Sequence, residues 1–469
     1  MYILLLMTFF TYHNKFLNNR INDNLNNDYF DKIVEFSIFI IHQADTKAME
    51  IFPSKNERLN PFPFYTRMRR LNPIAFDDKN QIWGIFNYTY SKEILSNHKI
   101  FSSDIHKLLF LQNQVKKNTH EQINHDIKKN VANDTKNIRS SILTLDPPRH
   151  RQLRNVILSA FTPNRIYNLN SRIEEVSKKL LNNAIKKGEI DIIGDLAYPL
   201  PVTIIAELIG VPYRDHNLFK EWADRLLGAN ANTTNFLDRK LEPGFKKIQE
   251  EMDDYFNKII QIREKEPKND LISNLIVSTI DNNRLTTEEI LSFCSLLLLA
   301  GHVTTVNLIG NTIRSLLENP LQLRKLKKNP NALIPSTIEE SLRYRSPVQA
   351  LFRFLLEDWD FNNYKMSRGQ RIVIWLGSAN HDEAIFKNPE EFDILRQPNE
   401  HIAFGYGIHF CIGSTLARLE GQSVLKQILE QLEDISFMDN YTEGSLKPMH
   451  DVFLMGVSNL PIKFKERKK

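Results

Sequence analysis

The sequence predicts a mainly α fold with a small β region, built as one large domain. Three observations predict it. From Pro148 into the 340s, apolar residues recur at three- and four-residue spacing. After Pro347, short β-rich runs return among Gly and Asn turns. Between residues 51 and 460 no internal repeat or linker interrupts the chain. Residues 51–469 therefore read as the domain and 1–50 as a poorly ordered N-terminal extension.

The extension opens MYILLLMTFF, about ten apolar positions where a membrane-spanning helix needs roughly twenty. It lacks the basic start and small-residue cleavage site of a signal peptide. The Asn-rich run NKFLNNRINDNLNND follows. A weak membrane-surface contact and a start codon placed too far upstream are both compatible with it, and no transmembrane segment is expected. IAFDD and QIWGIFNY flank Lys79-Asn80 as a hairpin. The polar stretch Asp104 to Ser140 is long enough to be a functional loop. RIEEVSKKLLNNAIKK is a helix stopped by Gly188, and PVTIIAELIG one stopped at Gly210 and Pro212. GFKKIQEEMDDYFNKIIQIREKE is a long charged amphipathic helix.

A capping box, Thr286 to Glu289, opens the next helix. Its middle is apolar nearly all round, so it belongs in the core. VQALFRFLLED, WDFNNYKM and QRIVIWLG are strands, and STLARLEGQSVLKQILEQLE is the final helix.

Composition excludes several classes. The chain has 469 residues, 42% hydrophobic and 25% charged, as a globular protein does. Its 61 basic and 56 acidic residues balance too evenly for a nucleic-acid partner. Two cysteines, Cys294 and Cys411, cannot build a disulfide framework, which points to a reducing, cytoplasmic setting. Nor can they hold an internal iron–sulfur cluster, which needs four.

Chemistry concentrates in FGYGIHFCIG, Phe404 to Gly413. A free cysteine is commonly a small buried hydrophobe, and Cys294, in SFCSLLLLA, reads that way. Zinc needs four ligands; His401, His409 and Cys411 supply three, with no CxxC. A thiolate reading of Cys411 has more behind it. Gly407 and Gly413 let backbone approach the sulfur. A helix expected to begin at about Cys411 would turn its amides toward an anion. A thiolate held so is an axial ligand for haem iron.

Phe404, Gly407, Cys411 and Gly413, spaced FxxGxxxCxG, resemble the haem-binding signature of the cytochrome P450 family. The family's other motifs follow in order over roughly residues 55–460. Glu340-x-x-Arg343 and FDILR, with Arg396, resemble its buried ion-pair network, which implies a structural lock beneath the haem. AGHVTT resembles its oxygen-binding groove. There Ala300 and Gly301 would leave room for dioxygen, and Thr304 would hydrogen-bond it and help deliver protons. LDPPRHRQLR resembles its propionate helix. The implied propionate contacts are His150, Arg154, Arg353 and His409.

The resemblance therefore implies the cytochrome P450 fold and haem b (iron protoporphyrin IX), with Cys411 on the metal. It implies a monooxygenase that inserts one atom of O2 into a hydrophobic organic substrate. Electrons would come from a separate ferredoxin- or flavodoxin-type donor, docking near Cys411. Leu299, Val303, Val348 and Leu351 are expected to face the substrate, under a lid from 104–140 and Trp222 to Phe236. One position departs: Val303 stands where soluble members carry an acid that relays protons. Thr304 with ordered water, a substrate polar group or His302 would have to serve instead. Val303 also leaves open a non-catalytic haem carrier or sensor, or oxidative coupling, desaturation or peroxide-driven oxidation on the same fold.

Overall fold

A computed structural model describes residues 50–108, 110, 111, 141–229, 243–361, 363–439, 441–449 and 451–467. Residues 1–49, most of the 104–140 stretch and the later part of the second expected lid segment lie outside the described residues.

Helix α1 (Phe62–Leu71) leads into β1 (Ile74–Asp77) and β2 (Ile82–Ile85). These form the predicted hairpin, with Ile74 opposite Ile85. Helix α2 (Tyr88–Ser96) starts where the Asn87 side chain accepts a hydrogen bond from the Tyr90 amide. The two-residue strand β3 (Phe101–Ser102) follows.

Helix α3 (Arg149–Ala160) opens the helical part of the chain. Helix α4 (Asn170–Lys187) ends at Gly188, whose φ of 82° is the left-handed stop expected there. After β4 (Ile190–Asp191), a π-helical turn, Ile192–Ala197, leads into α5 (Pro199–Ile209). Helices α6 (His216–Ala229), α7 (Pro243–Lys265) and α8 (Thr287–Glu318) continue the layer.

The capping box of α8 forms: Thr286 Oγ1 accepts from the Glu289 amide, and Glu289 accepts from the Thr286 amide. Helix α8 is 32 residues long and packs on α5, α9 (Pro330–Tyr344) and α10 (Ser414–Gln431), which places it in the core. Ile192–Ile209 and α8 are long and apolar enough to cross a membrane, but 61% of each such stretch is buried inside the fold. Core placement accounts for their hydrophobicity.

Strands β5 (Ala350–Leu355) and β6 (Arg371–Trp375) complete a five-stranded sheet ordered β1-β2-β6-β5-β3. Strand β6 runs parallel to β2 and antiparallel to β5, with Ile372 opposite Arg353. A second sheet, β7 (Leu432–Phe437), β8 (Pro461–Glu466) and β4, was not legible in the sequence. Strand β4 is too short for a period, and β7 begins where α10 ends, inside the stretch predicted as helix.

Candidate functional site

The loop before α10 is shaped by its glycines. Gly405 and Gly407 have φ of 74° and 73°, in the left-handed region. A side chain at Gly407 would also meet the Leu95 carbonyl of α2 at 2.5 Å, so the loop is seated against that helix. The Cys411 amide donates to the Phe404 carbonyl at 3.0 Å, closing the turn. Gly413 differs: a Cβ there would meet open space.

Helix α10 begins at Ser414, not at Cys411, yet the Gly413 and Ser414 amides still reach the sulfur. Burial pushes the Cys411 thiol up. The two amides and the nearby Arg154 and Arg418 pull it back, but burial prevails. The protein alone therefore favours the thiol, against the anionic sulfur expected from the helix start. A thiolate here would need a bound metal to stabilise it.

Behind the loop, Arg418 lies 4.5 Å over the Phe404 ring. It donates to Glu339 at 2.6 and 2.9 Å, and His401 Nε2 lies 3.1 Å from the same carboxylate. Burial works against that carboxylate, yet hydrogen bonds from Arg418 and His401 hold it down at about 2. Motif spacing carried no separate signal for this network.

Beneath it, Glu340 and Arg343 are fully buried. Arg343 pairs bidentately with Glu340 at 2.8 Å. Arg396 Nε lies 3.2 Å from both Glu340 oxygens. Both guanidinium groups also donate to the Glu391 carbonyl at 3.0 Å. The three residues named from the sequence thus meet as one unit that ties α9 to the segment leading into the Cys411 loop.

The four expected propionate contacts also converge. His150 and Arg154 lie one turn apart on α3, Arg353 is on β5, and His409 is on the loop. The His150 and His409 rings are 4.2 Å apart. Neither Nε2 makes a hydrogen bond among the described residues. Arg154 donates to the Phe410 carbonyl and Arg353 to the Phe352 carbonyl, each at 2.6 Å.

Burial and then Arg154 lower His150 to about 4, against a smaller pull from Asp146. Burial, Arg353 and His150 lower His409 to about 2. Burial brings Arg353 down to about 10. Two unpartnered imidazole nitrogens beside two guanidinium groups fit an anionic group, and the two carboxylates of a haem would answer that. His98 joins this cluster, which sequence spacing did not foretell.

On α8, Ala300 is exposed and Thr304 partly so. The Thr304 hydroxyl donates to the Ala300 carbonyl at 2.7 Å. Gly301 serves packing instead of open room: a Cβ there would strike Ile205 of α5 at 2.5 Å. Val303, expected to face the substrate, is only 5% exposed. Leu299 and Leu351 are half-buried, as is Val348, which bridges to Leu454. Leu351 also lies against Gly405 of the Cys411 loop.

His302 is fully buried edge-on to Tyr198, and burial lowers it to about 4, so it is neutral near pH 7. One carboxyl does reach α8 from another element. Glu420 of α10 is buried near Thr305 and pushed up to about 8 by that burial. A separate cleft of about 980 Å³, lined by Phe62, Arg67, Tyr344 and Glu390 among others, contains none of these residues.

The sequence model of the cytochrome P450 family matches residues 102–435. Cytochrome P450 109 of Bacillus spizizenii is 36% identical over 90% of this chain and 96% of its own length. Substrate-free CYP109E1 of Bacillus megaterium is similar in structure, with a TM-score of 0.75 and 36% identity. That match covers 88% of this chain and 100% of the other. The same relative solved with testosterone gives a TM-score of 0.73 at 36% identity, covering 86% and 99%.

Proposed function

The chain belongs to the cytochrome P450 family, and from that premise we propose that Cys411 would hold the iron of its haem and that Thr304 would deliver protons. Members of the family are haem-thiolate monooxygenases that bind haem b, use O2 and a separate redox partner, and act on hydrophobic substrates. The haem supplies oxygen activation; the protein supplies seating, orientation and protons.

The observation that carries the reading is the Cys411 sulfur, met by the Gly413 and Ser414 amides, with open space at Gly413. The guanidinium groups of Arg154 and Arg353 and the unpartnered ring nitrogens of His150 and His409 would hold the carboxylates. The Glu340–Arg343–Arg396 unit fixes the loop that carries the sulfur. Ala300, Leu299, Val348 and Leu351 present apolar surface to a substrate, and Thr304 is the hydroxyl beside them.

With a valine at 303 and a neutral, enclosed His302, Thr304 must work with ordered water or a polar group on the substrate. We take the substrate to be a rigid polycyclic compound of steroid size, because a relative of 36% identity was solved with testosterone. The electron donor is a ferredoxin- or flavodoxin-type protein, and the setting is the cytoplasm.

Two spectra test this. The reduced carbon-monoxide complex should show thiolate ligation, and Cys411→Ala should abolish it; an unchanged band in the variant would refute the assignment. A steroid panel should shift the haem from low to high spin saturably. Shifts only with fatty acids would replace the steroid reading.

A further inference from the structure

We propose that His98 is a further binding residue for the carboxylate edge of the haem, beside His150, Arg154, Arg353 and His409. The inference rests on the haem reading above. His98 lies on the turn between α2 and β3, where the Ile100 and Phe101 amides both donate to the Asn97 carbonyl.

Two contacts hold that turn at the site. On one side, the end of α2 is pressed to the loop that carries His409, at the Leu95 carbonyl and Gly407. On the other, β3 pairs with β5, placing Ser102 opposite Phe354, the neighbour of Arg353. His98 therefore stands between the elements that carry His409 and Arg353.

Its Nδ1 is buried and makes no hydrogen bond among the described residues. The ring is near enough to His150 to act on it electrostatically. The carboxylate of the same region, Asp146, is already committed. It accepts from Ser102 Oγ at 2.5 Å, from the Ser103 amide at 3.3 Å and from Lys107 Nζ at 2.7 Å. His98 is left with a buried, unpartnered ring nitrogen beside a carboxylate whose own bonds are already taken. An imidazole nitrogen carrying its proton can donate to a carboxylate oxygen.

The experiment compares haem with its dimethyl ester, which lacks the free carboxylates. Full-length protein loaded with either is challenged with excess apomyoglobin, and haem loss is followed by absorbance. His98→Leu should lose natural haem about three- to tenfold faster than wild type. Loaded with the ester, it should lose haem no faster than ester-loaded wild type. His98→Gln, which keeps a donor, should recover part of the retention and stands in if the Leu variant does not fold.

Equal acceleration with both haems would make His98 a packing residue and overturn the proposal. Unchanged loss of natural haem would overturn it as well. The carbon-monoxide spectrum of wild type reports on the haem-thiolate reading separately, so failure there is distinguishable from failure at His98.

Discussion

The proximal and distal sides of the site are built on opposite plans. The proximal side is dense with polar contacts: Arg343, Arg396 and Arg418 are each tied to a carboxylate of α9, and Gly407 is pressed against backbone. The distal side offers one partly exposed hydroxyl, Thr304, among apolar or small residues, with Val303 almost enclosed. Two carboxyls mark the contrast. Hydrogen bonds hold Glu339 ionised, while burial keeps Glu420 protonated near neutral pH. The fold fixes the sulfur by electrostatics and leaves the substrate face to shape.

The largest effect should come from breaking the proximal unit. Arg343→Leu strips buried Glu340 of its bidentate partner and leaves it only the longer ionic contact to Arg396, at a cost of about 3–5 kcal/mol. Denaturant unfolding would measure it, and a loss below about 1 kcal/mol would erase the contrast.

The next tests the two carboxyls by pH. Glu420 binds its proton more tightly folded than unfolded. Its contribution is therefore full at low pH and falls as pH rises from the ordinary carboxylate range through about 8. Glu420→Gln should match wild type at pH 5 and exceed it in Tm by several degrees at pH 8. Glu339 has the opposite sign: its contribution is lost as pH falls toward about 2. Wild type and Glu420→Gln with identical pH profiles would contradict the neutral acid.

Gly407→Ala combines a left-handed φ with a backbone collision and should cost about 1–3 kcal/mol. Gly413→Ala, which meets no protein atom, should leave unfolding unchanged within about 0.5 kcal/mol and lower haem occupancy instead. Equal destabilisation by both would remove the distinction between a glycine that serves the fold and one that serves the cofactor.

The smallest effect concerns the distal relay. Val303→Glu should raise product formed per reductant consumed by a few-fold, and Thr304→Ala should lower it. An unchanged ratio in both variants would mean that protons reach the site without α8.

The sequence was readable where local chemistry and spacing coincide. The stops at Gly188 and Gly210, the Thr286 capping box and the hairpin around Lys79 are local signals, and each formed where expected. Motif spacing grouped Glu340, Arg343 and Arg396, and their side chains do meet in the fold. The three-stranded sheet β7-β8-β4 was hidden because its partners are far apart in sequence and one is two residues long. His98, Arg418 and Glu420 gave no sign, since their roles exist only after separate elements meet. The orientation of Gly301 toward Ile205 likewise depends on how α5 crosses α8, which no single segment encodes.

Strand β5 carries Leu351 and Arg353 two residues apart, on one face, while Phe352 turns the other way to stack edge-on with Phe453. On the proposed reading, a wall of the substrate chamber and a clamp on the cofactor would be rungs of the same ladder. An engineer widening that chamber at position 351 would pull on the haem as well. Ala300 and Val348 sit on other elements, so a mutagenesis library aimed at new substrates should start there.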